Sequence, residues 1–147
     1  MPSTFSIVTD SSVDAQSLFD VSLSIDAHIK SMAHSRERAI AGVTSGRIGL
    51  GETVTWRARH FGIWFTMTSK ITALDEPHSF IDAQVRGPFK SFIHRHDFEV
   101  TPGGSRMIDT ITVASPIFGR LAEPLVLVPY LRRLIRSRNS ALLEALT

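Results

Sequence analysis

The stretch from Ile117 to Leu146, IFGRLAEPLVLVPYLRRLIRSRNSALLEAL, decides the fold. It is the one segment long enough, and apolar enough on one side, to form a major helix. Leu121, Leu125, Val128, Leu131, Leu134, Ile135, Leu142 and Leu146 recur at three- and four-residue steps, which gathers them into one stripe of a 3.6-residue helix. Leu121, Leu125 and Val128 are expected to face a sheet. Arg120, Arg132, Arg133, Arg136 and Arg138 read as lying largely off the stripe. Pro129 removes an intrahelical hydrogen bond, so a bend or local break is expected near Leu125 to Pro129.

Ahead of this helix the pattern is mostly that of strands. Phe5, Ile7 and Thr9 alternate with polar neighbours. Ser11 and Ser12 can cap a short helix from Val13 with Asp14 in its first turn, and a second helix starts after Ser24. Strands follow at 36–42, 53–60, 63–74, 79–85, 89–100 and 106–114, separated by turn residues such as Phe61-Gly62 and Thr101-Pro102-Gly103-Gly104. Short connections imply an antiparallel meander, and the terminal helix gives it something to curl around. The expected class is α+β in helix-grip order: one strand, two short helices, a curved antiparallel sheet and a long C-terminal helix.

The chain has 147 residues, 43% of them hydrophobic and 20% charged, so one domain spanning 1–147 is expected. A formal charge of +2 is too small to argue for nucleic acid. With no cysteine there is no disulfide, thiol nucleophile or cysteine-bound metal. The opening MPSTFSIVTDSS lacks the basic and apolar regions of a secretory signal, so a cytoplasmic location is expected. The most apolar window, Leu125 to Leu131, is shorter than the roughly 20 residues a membrane span needs. The chain is therefore expected not to be transmembrane.

Strand alternation assigns an inner face. Phe92, Phe98 and Val100 should point inward and carry His94 and His96 with them, since residues two apart share a face. Met107, Asp109, Ile111 and Val113 share one face, as do Val54, Trp56, Ala58 and His60. Ile63, Phe65, Met67 and Ile71 form an apolar inner row. Asp82 and Gln84 compete with Ile81, Ala83 and Val85 for the inside. The inward set thus joins an apolar lining to a polar cluster of Trp56, His60, His94, His96 and Asp109. Such a cluster can orient a ligand, or its members can satisfy one another as a buried network.

Several stretches resemble the START-like (SRPBCC) superfamily of the birch-pollen allergens and polyketide cyclase/dehydrase-like proteins, in particular its small bacterial stand-alone members. They are Ser24-Ile25-Asp26-Ala27-His28, 53–63, 80–89, His94-Arg95-His96-Asp97-Phe98, Asp109 with Pro116, and Arg138-Asn139. The resemblance implies an apolar cavity between sheet and helix that binds lipids, polyketides or similar molecules. The expected ligand-binding residues are Trp56, His60, Phe65, Met67, Phe92, His94, His96, Phe98, Asp109, Ile111, Leu121 and Leu125. Two other readings stand beside this one. In the first, His94, His96 and Asp109 act as acid, base and orienter of a cyclase or dehydratase; in the second, the arginine-rich helix end is a protein-interaction surface. No metal or other cofactor is expected, and a homodimer is left open.

Overall fold

The computed structural model describes residues 2–115 and 123–146. Strand β1, Ser3–Ser11, buries Phe5 and Ile7 and turns Thr4, Ser6 and Val8 outward. Helix α1, Ala15–Ser22, follows. Its N-cap is Asp14, whose carboxylate accepts the Ser17 N–H at 2.7 Å, whereas Ser11 accepts only from Val13. The expected serine cap and Val13 start are corrected accordingly. Asp14 sits in extended conformation before the helix, where its oxygens reach an unpaired amide. Ser24 caps α2, Ile25–Ser31, by accepting from Ala27 N–H.

The sheet then runs through β2 Arg38–Gly42, β3 Thr53–His60, β4 Ile63–Asp75, β5 Ser79–Arg86, β6 Ser91–Thr101 and β7 Gly104–Ala114. Its order is β1-β7-β6-β5-β4-β3-β2, with every neighbouring pair antiparallel. The two short helices carry the chain from one edge strand to the other. Phe61 and Gly62 both take positive φ, 55° and 74°, closing the β3–β4 hairpin in two residues. At the far edge β2 is short and bulged between Ala39 and Ala41, and Ile40 faces solvent. On the other edge the Arg132 guanidinium lies over the Phe5 ring and reaches the Ser6 carbonyl at 3.4 Å.

After the last strand the described chain resumes as a π-helical turn, Glu123–Leu127, which passes into α3, Val128–Leu146. Pro129, which lacks an N–H, thus falls at the junction where the i→i−5 pattern gives way to the i→i−4 pattern of α3. The irregularity expected around Leu125 to Pro129 takes the form of this wider turn. It also shifts the residues before Val128 off the 3.6-residue register. Leu125 is 78% exposed and does not face the sheet, contrary to expectation, and Leu121 lies outside the described residues.

The core has two centres. Under α1 and α2, Leu18, Phe19, Leu23, Phe80, Phe98 and Met107 pack together, with Phe19 edge-on to Phe80 and Phe98 at 5.7 and 5.2 Å. Under α3, Phe5, Ile7, Phe92, Ile111, Leu131 and Ile135 form the second. Two inward expectations fail at strand ends: Ile63 begins β4 at the hairpin and is exposed, and so is Val100, near the end of β6. Alternation points a side chain toward a face, but burial needs a helix above it.

Candidate functional site

Between the two core centres, sheet and α3 enclose a cavity of about 470 Å³. Trp56, Phe65, Met67 and Phe92 line it from the strands, and Leu131 and Ile135 line it from the helix. Phe61 and Val126 also line it while being 61% and 53% exposed, so the cavity meets solvent between the β3–β4 hairpin and the start of α3.

At the opposite end the wall is charged. Asp109, on the inner face of β7, has no exposed surface and lies at the centre of a network. Its Oδ1 accepts from His94 Nε2 at 2.7 Å and from Arg138 Nη2 at 3.1 Å, and its Oδ2 accepts from Asn139 Nδ2 at 2.8 Å. Arg138 also donates through Nε and Nη2 to Asn139 Oδ1 at 3.1 and 2.9 Å, and Asn139 donates to Thr9 Oγ1 at 3.0 Å. On the cavity side, His96 Nε2 pairs with Asp82 Oδ2 at 2.7 Å. The two imidazoles stack with centroids 3.7 Å apart, and Phe80 stacks on the outer face of His96 at 4.0 Å. His96 Nδ1 lies 3.3 Å from Asp109 Oδ1, within ion-pair range but out of line for a hydrogen bond, so among the described residues it is a buried nitrogen with no hydrogen-bond partner.

Two carboxylates face one guanidinium, which leaves room for one imidazolium, and two stacked rings at this distance resist sharing a second positive charge. Burial, reinforced by the neighbouring His96, lowers His94 to about 4 despite its bond to Asp109. Burial also works against charge on His96, but the Asp109 and Asp82 carboxylates outweigh it and raise its pKa. Asp109 would be raised by burial, yet Arg138 and the two histidines hold it well below the usual carboxylate range. Asp82 is lowered in the same way, against burial, by the His96 hydrogen bond and by the charges of His94, His96 and Arg138. The network therefore favours ionised Asp82 and Asp109, and of the two imidazoles it favours a proton on His96 over one on His94.

Asp82, His94 and His96 also bring three possible metal-ligating atoms within 4.8 Å of one another. Imidazole lone pairs lie in the ring planes, however, and two nearly parallel rings cannot both aim in plane at one ion about 2 Å from each. Each Nε2 is instead directed at a carboxylate, His94 at Asp109 and His96 at Asp82.

Two further polar pairs line the cavity. His60 Nδ1 and the Tyr130 hydroxyl are 2.6 Å apart near the mouth, with the Phe61 ring against Tyr130 at 4.4 Å. Burial lowers the His60 pKa, outweighing the charge of Glu37, and burial raises that of Tyr130. Both are therefore neutral. His28 Nε2 meets Glu37 Oε1 at 2.6 Å, and the His28 ring packs on Trp56 at 4.4 Å.

The residues singled out from sequence divide accordingly. Trp56, His60, Phe65, Met67, Phe92, His94 and His96 line the cavity. Phe98 and Ile111 belong to the two core centres, and Asp109 stands behind the histidines. The five-residue polar cluster is not one group: His94, His96 and Asp109 come together, while His60 pairs with Tyr130 and Trp56 with His28. Asp82 is on the inside with Phe80. Sequence reasoning named Arg138-Asn139 only for the resemblance and did not assign them or Tyr130 to the site, and it read Arg138 as lying largely off the apolar stripe, whereas that residue is 4% exposed.

No protein-family model and no curated protein sequence matches the chain. Solved structures do. The protein TTHA0849 from Thermus thermophilus is 16% identical with a TM-score of 0.77, covering 99% of this chain and 100% of that one. Ara h 8.0201, a birch-pollen-like allergen, is 16% identical with a TM-score of 0.67, covering 98% and 99%. Ginseng major latex-like protein 151 from Panax ginseng is 15% identical with a TM-score of 0.66, covering 95% and 96%. At such identities the likeness is one of fold. A seven-stranded antiparallel sheet gripping a long C-terminal helix, in this order and over this length, gives the chain the START-like helix-grip fold of the birch-pollen-like proteins.

Proposed function

We infer that residues 1–147 form one ligand-binding domain that holds a hydrophobic small molecule in the cavity between sheet and α3. The observation that carries this reading is the cavity itself. A space of about 470 Å³ with a largely apolar lining and a few convergent polar groups has the composition of a small-molecule site. Trp56, Phe65, Met67 and Phe92 would supply apolar contact, and the polar pairs would fix orientation. The test is binding of an environment-sensitive dye. Met67→Trp fills the cavity and should weaken dye binding at least about tenfold, or roughly 1.4 kcal/mol, with a smaller change in stability. Equal binding by both forms would remove the lining residues from the assignment.

A second reading, acid–base catalysis of the cyclase or dehydratase type, is favoured by one observation. His94 lines the cavity while Asp109 fixes its ring through Nε2, which leaves Nδ1 of a neutral imidazole as the nitrogen for a substrate proton. His94→Gln should then abolish turnover of a bound polyketide-like substrate while leaving its affinity within about tenfold. Binding without turnover in the wild type would remove the enzyme reading for that substrate.

A further inference from the structure

Apart from the His28–Glu37 pair and several serines, the hydrogen-bonding side chains of the cavity gather at two ends. Tyr130 and Arg138 both line it from α3, eight positions apart, so they stand on the order of 12 Å apart along the helix axis at 1.5 Å per residue. Between them the helix contributes Leu131, Leu134 and Ile135, and the sheet opposite contributes Met67 and Phe92. Each end has hydrogen-bonding capacity left over. At the deep end, Nε and Nη2 of Arg138 are occupied by Asp109 and Asn139, whereas Nη1 has no bond among the described residues. At the mouth, one proton joins His60 Nδ1 to the Tyr130 oxygen, so His60 Nε2 and the remaining valences of the hydroxyl are left to a ligand.

We propose that the cavity selects an elongated, uncharged ligand with an apolar body and one hydroxyl or carbonyl oxygen at each end. One oxygen accepts from Arg138 at the deep end, and the other engages the His60–Tyr130 pair, Tyr130 standing about 12 Å from Arg138 along the helix axis. The ligand is uncharged because neither end offers spare charge. At the deep end the Arg138 guanidinium is already held by Asp109, and the two carboxylates are taken up by His96 and by His94, Arg138 and Asn139, while the mouth pair is neutral. An added carboxylate or ammonium would be desolvated without a counter-ion. This rests on the ligand-binding reading above and narrows it to a substrate class.

The experiment uses a rigid series on the full chain: stilbene, para-hydroxystilbene, para,para′-dihydroxystilbene, and the analogue carrying one hydroxyl and one carboxylate. Affinities are measured by displacement of the environment-sensitive dye from wild type and from Tyr130→Phe, which keeps the ring and removes the hydroxyl. In the wild type the dihydroxy compound should bind at least about fivefold more tightly than the monohydroxy one, and the carboxylate at least about tenfold more weakly than the dihydroxy one. In Tyr130→Phe the dihydroxy advantage should disappear while affinity for stilbene itself stays within about twofold. An unchanged advantage in Tyr130→Phe, or preferred binding of the carboxylate, would overturn the two-ended site while leaving the binding cavity in place. Failure of the dye and of every stilbene to bind would instead remove the binding reading and this inference with it. Circular dichroism of the variant guards against a folding artefact, and His60→Gln provides a second route to the same loss of selectivity.

Discussion

Arg138→Met separates a surface arginine from a buried one. On the solvent face of α3 such a change would alter stability by no more than about 0.5 kcal/mol. In the structure, Arg138 makes three hydrogen bonds, to Asp109 and Asn139, and is 4% exposed. Methionine fills a similar volume but leaves the buried Asp109 carboxylate without its guanidinium. Breaking a buried ion pair from one side costs about 3–5 kcal/mol, a large part of the roughly 5–15 kcal/mol that holds a domain together. The measurement is urea unfolding followed by circular dichroism at neutral pH, with linear extrapolation. Arg136→Met, an exposed position on the same helix, is the control and should be near neutral. Arg138→Lys should fall between, since a single ammonium keeps the charge but not the two-pronged grip on Asp109 and Asn139. The deficit of Arg138→Met should also shrink as pH falls, because protonating the second imidazole replaces the missing cation. A loss below about 1 kcal/mol with an unchanged denaturant slope would refute the network as described.

His94→Gln tests the proton count. The folded His94 pKa of about 4 lies below the ordinary 6.5, so the unfolded chain takes up this proton first and wild-type stability falls as pH drops from 6.5 towards 4. Removing His94 should flatten that decline, by at most about 3 kcal/mol, and an unchanged slope in urea melts across this range would refute the assignment. His96 has the opposite sign: its raised pKa gives stability that is full below the unfolded value and lost as pH climbs through the folded one. Gly42→Ala should destabilise by about 1–3 kcal/mol, because Gly42 has φ of 73° and a Cβ there would sit 2.2 Å from the Thr53 carbonyl oxygen. A thermal melt matching wild type would show that the β2 edge yields at no cost.

How far the sequence could be read depended on whether pattern and chemistry agreed. On β6 and β7 the alternation of Phe92, His94, His96 and Phe98 against Asp109, Ile111 and Val113 pointed every side chain to its observed face. Ser24 before an amphipathic run and Phe61-Gly62 between two strands were equally plain. On α3 the two signals conflicted. Leu131, Ile135, Arg138 and Leu142 are spaced by four, three and four residues, so Arg138 sits in the buried stripe by position and is excluded from it only by its charge. The reading followed the charge. A buried partner for Asp109 had to come from somewhere, and demanding a cation for an inward carboxylate would have found Arg138. Tyr130 was missed for a different reason: its partner, His60, is 70 residues away, and only the curvature of the sheet brings them together. On β5, Asp82 and Ile81 offered equally good periodicities. The choice is made by contacts from other elements, the Phe80 ring on His96 and the Asp82 carboxylate on its nitrogen.

The sheet is open, with β1 and β2 at its margins, and unsatisfied backbone along such margins is a template on which another chain can add a strand. The two margins are blunted by unrelated means. On β2 the run is only five residues, begins with an exposed Arg38 and is kinked by its bulge, so a flat incoming strand finds no continuous ladder. On β1 the guanidinium of Arg132, brought over from α3, occupies the Ser6 carbonyl and stands across the approach to Phe5. Both devices disfavour pairing of two copies of this chain edge to edge. The same safeguards oppose fibril-like stacking in a protein whose hollow interior leaves it fewer packing contacts with which to resist it.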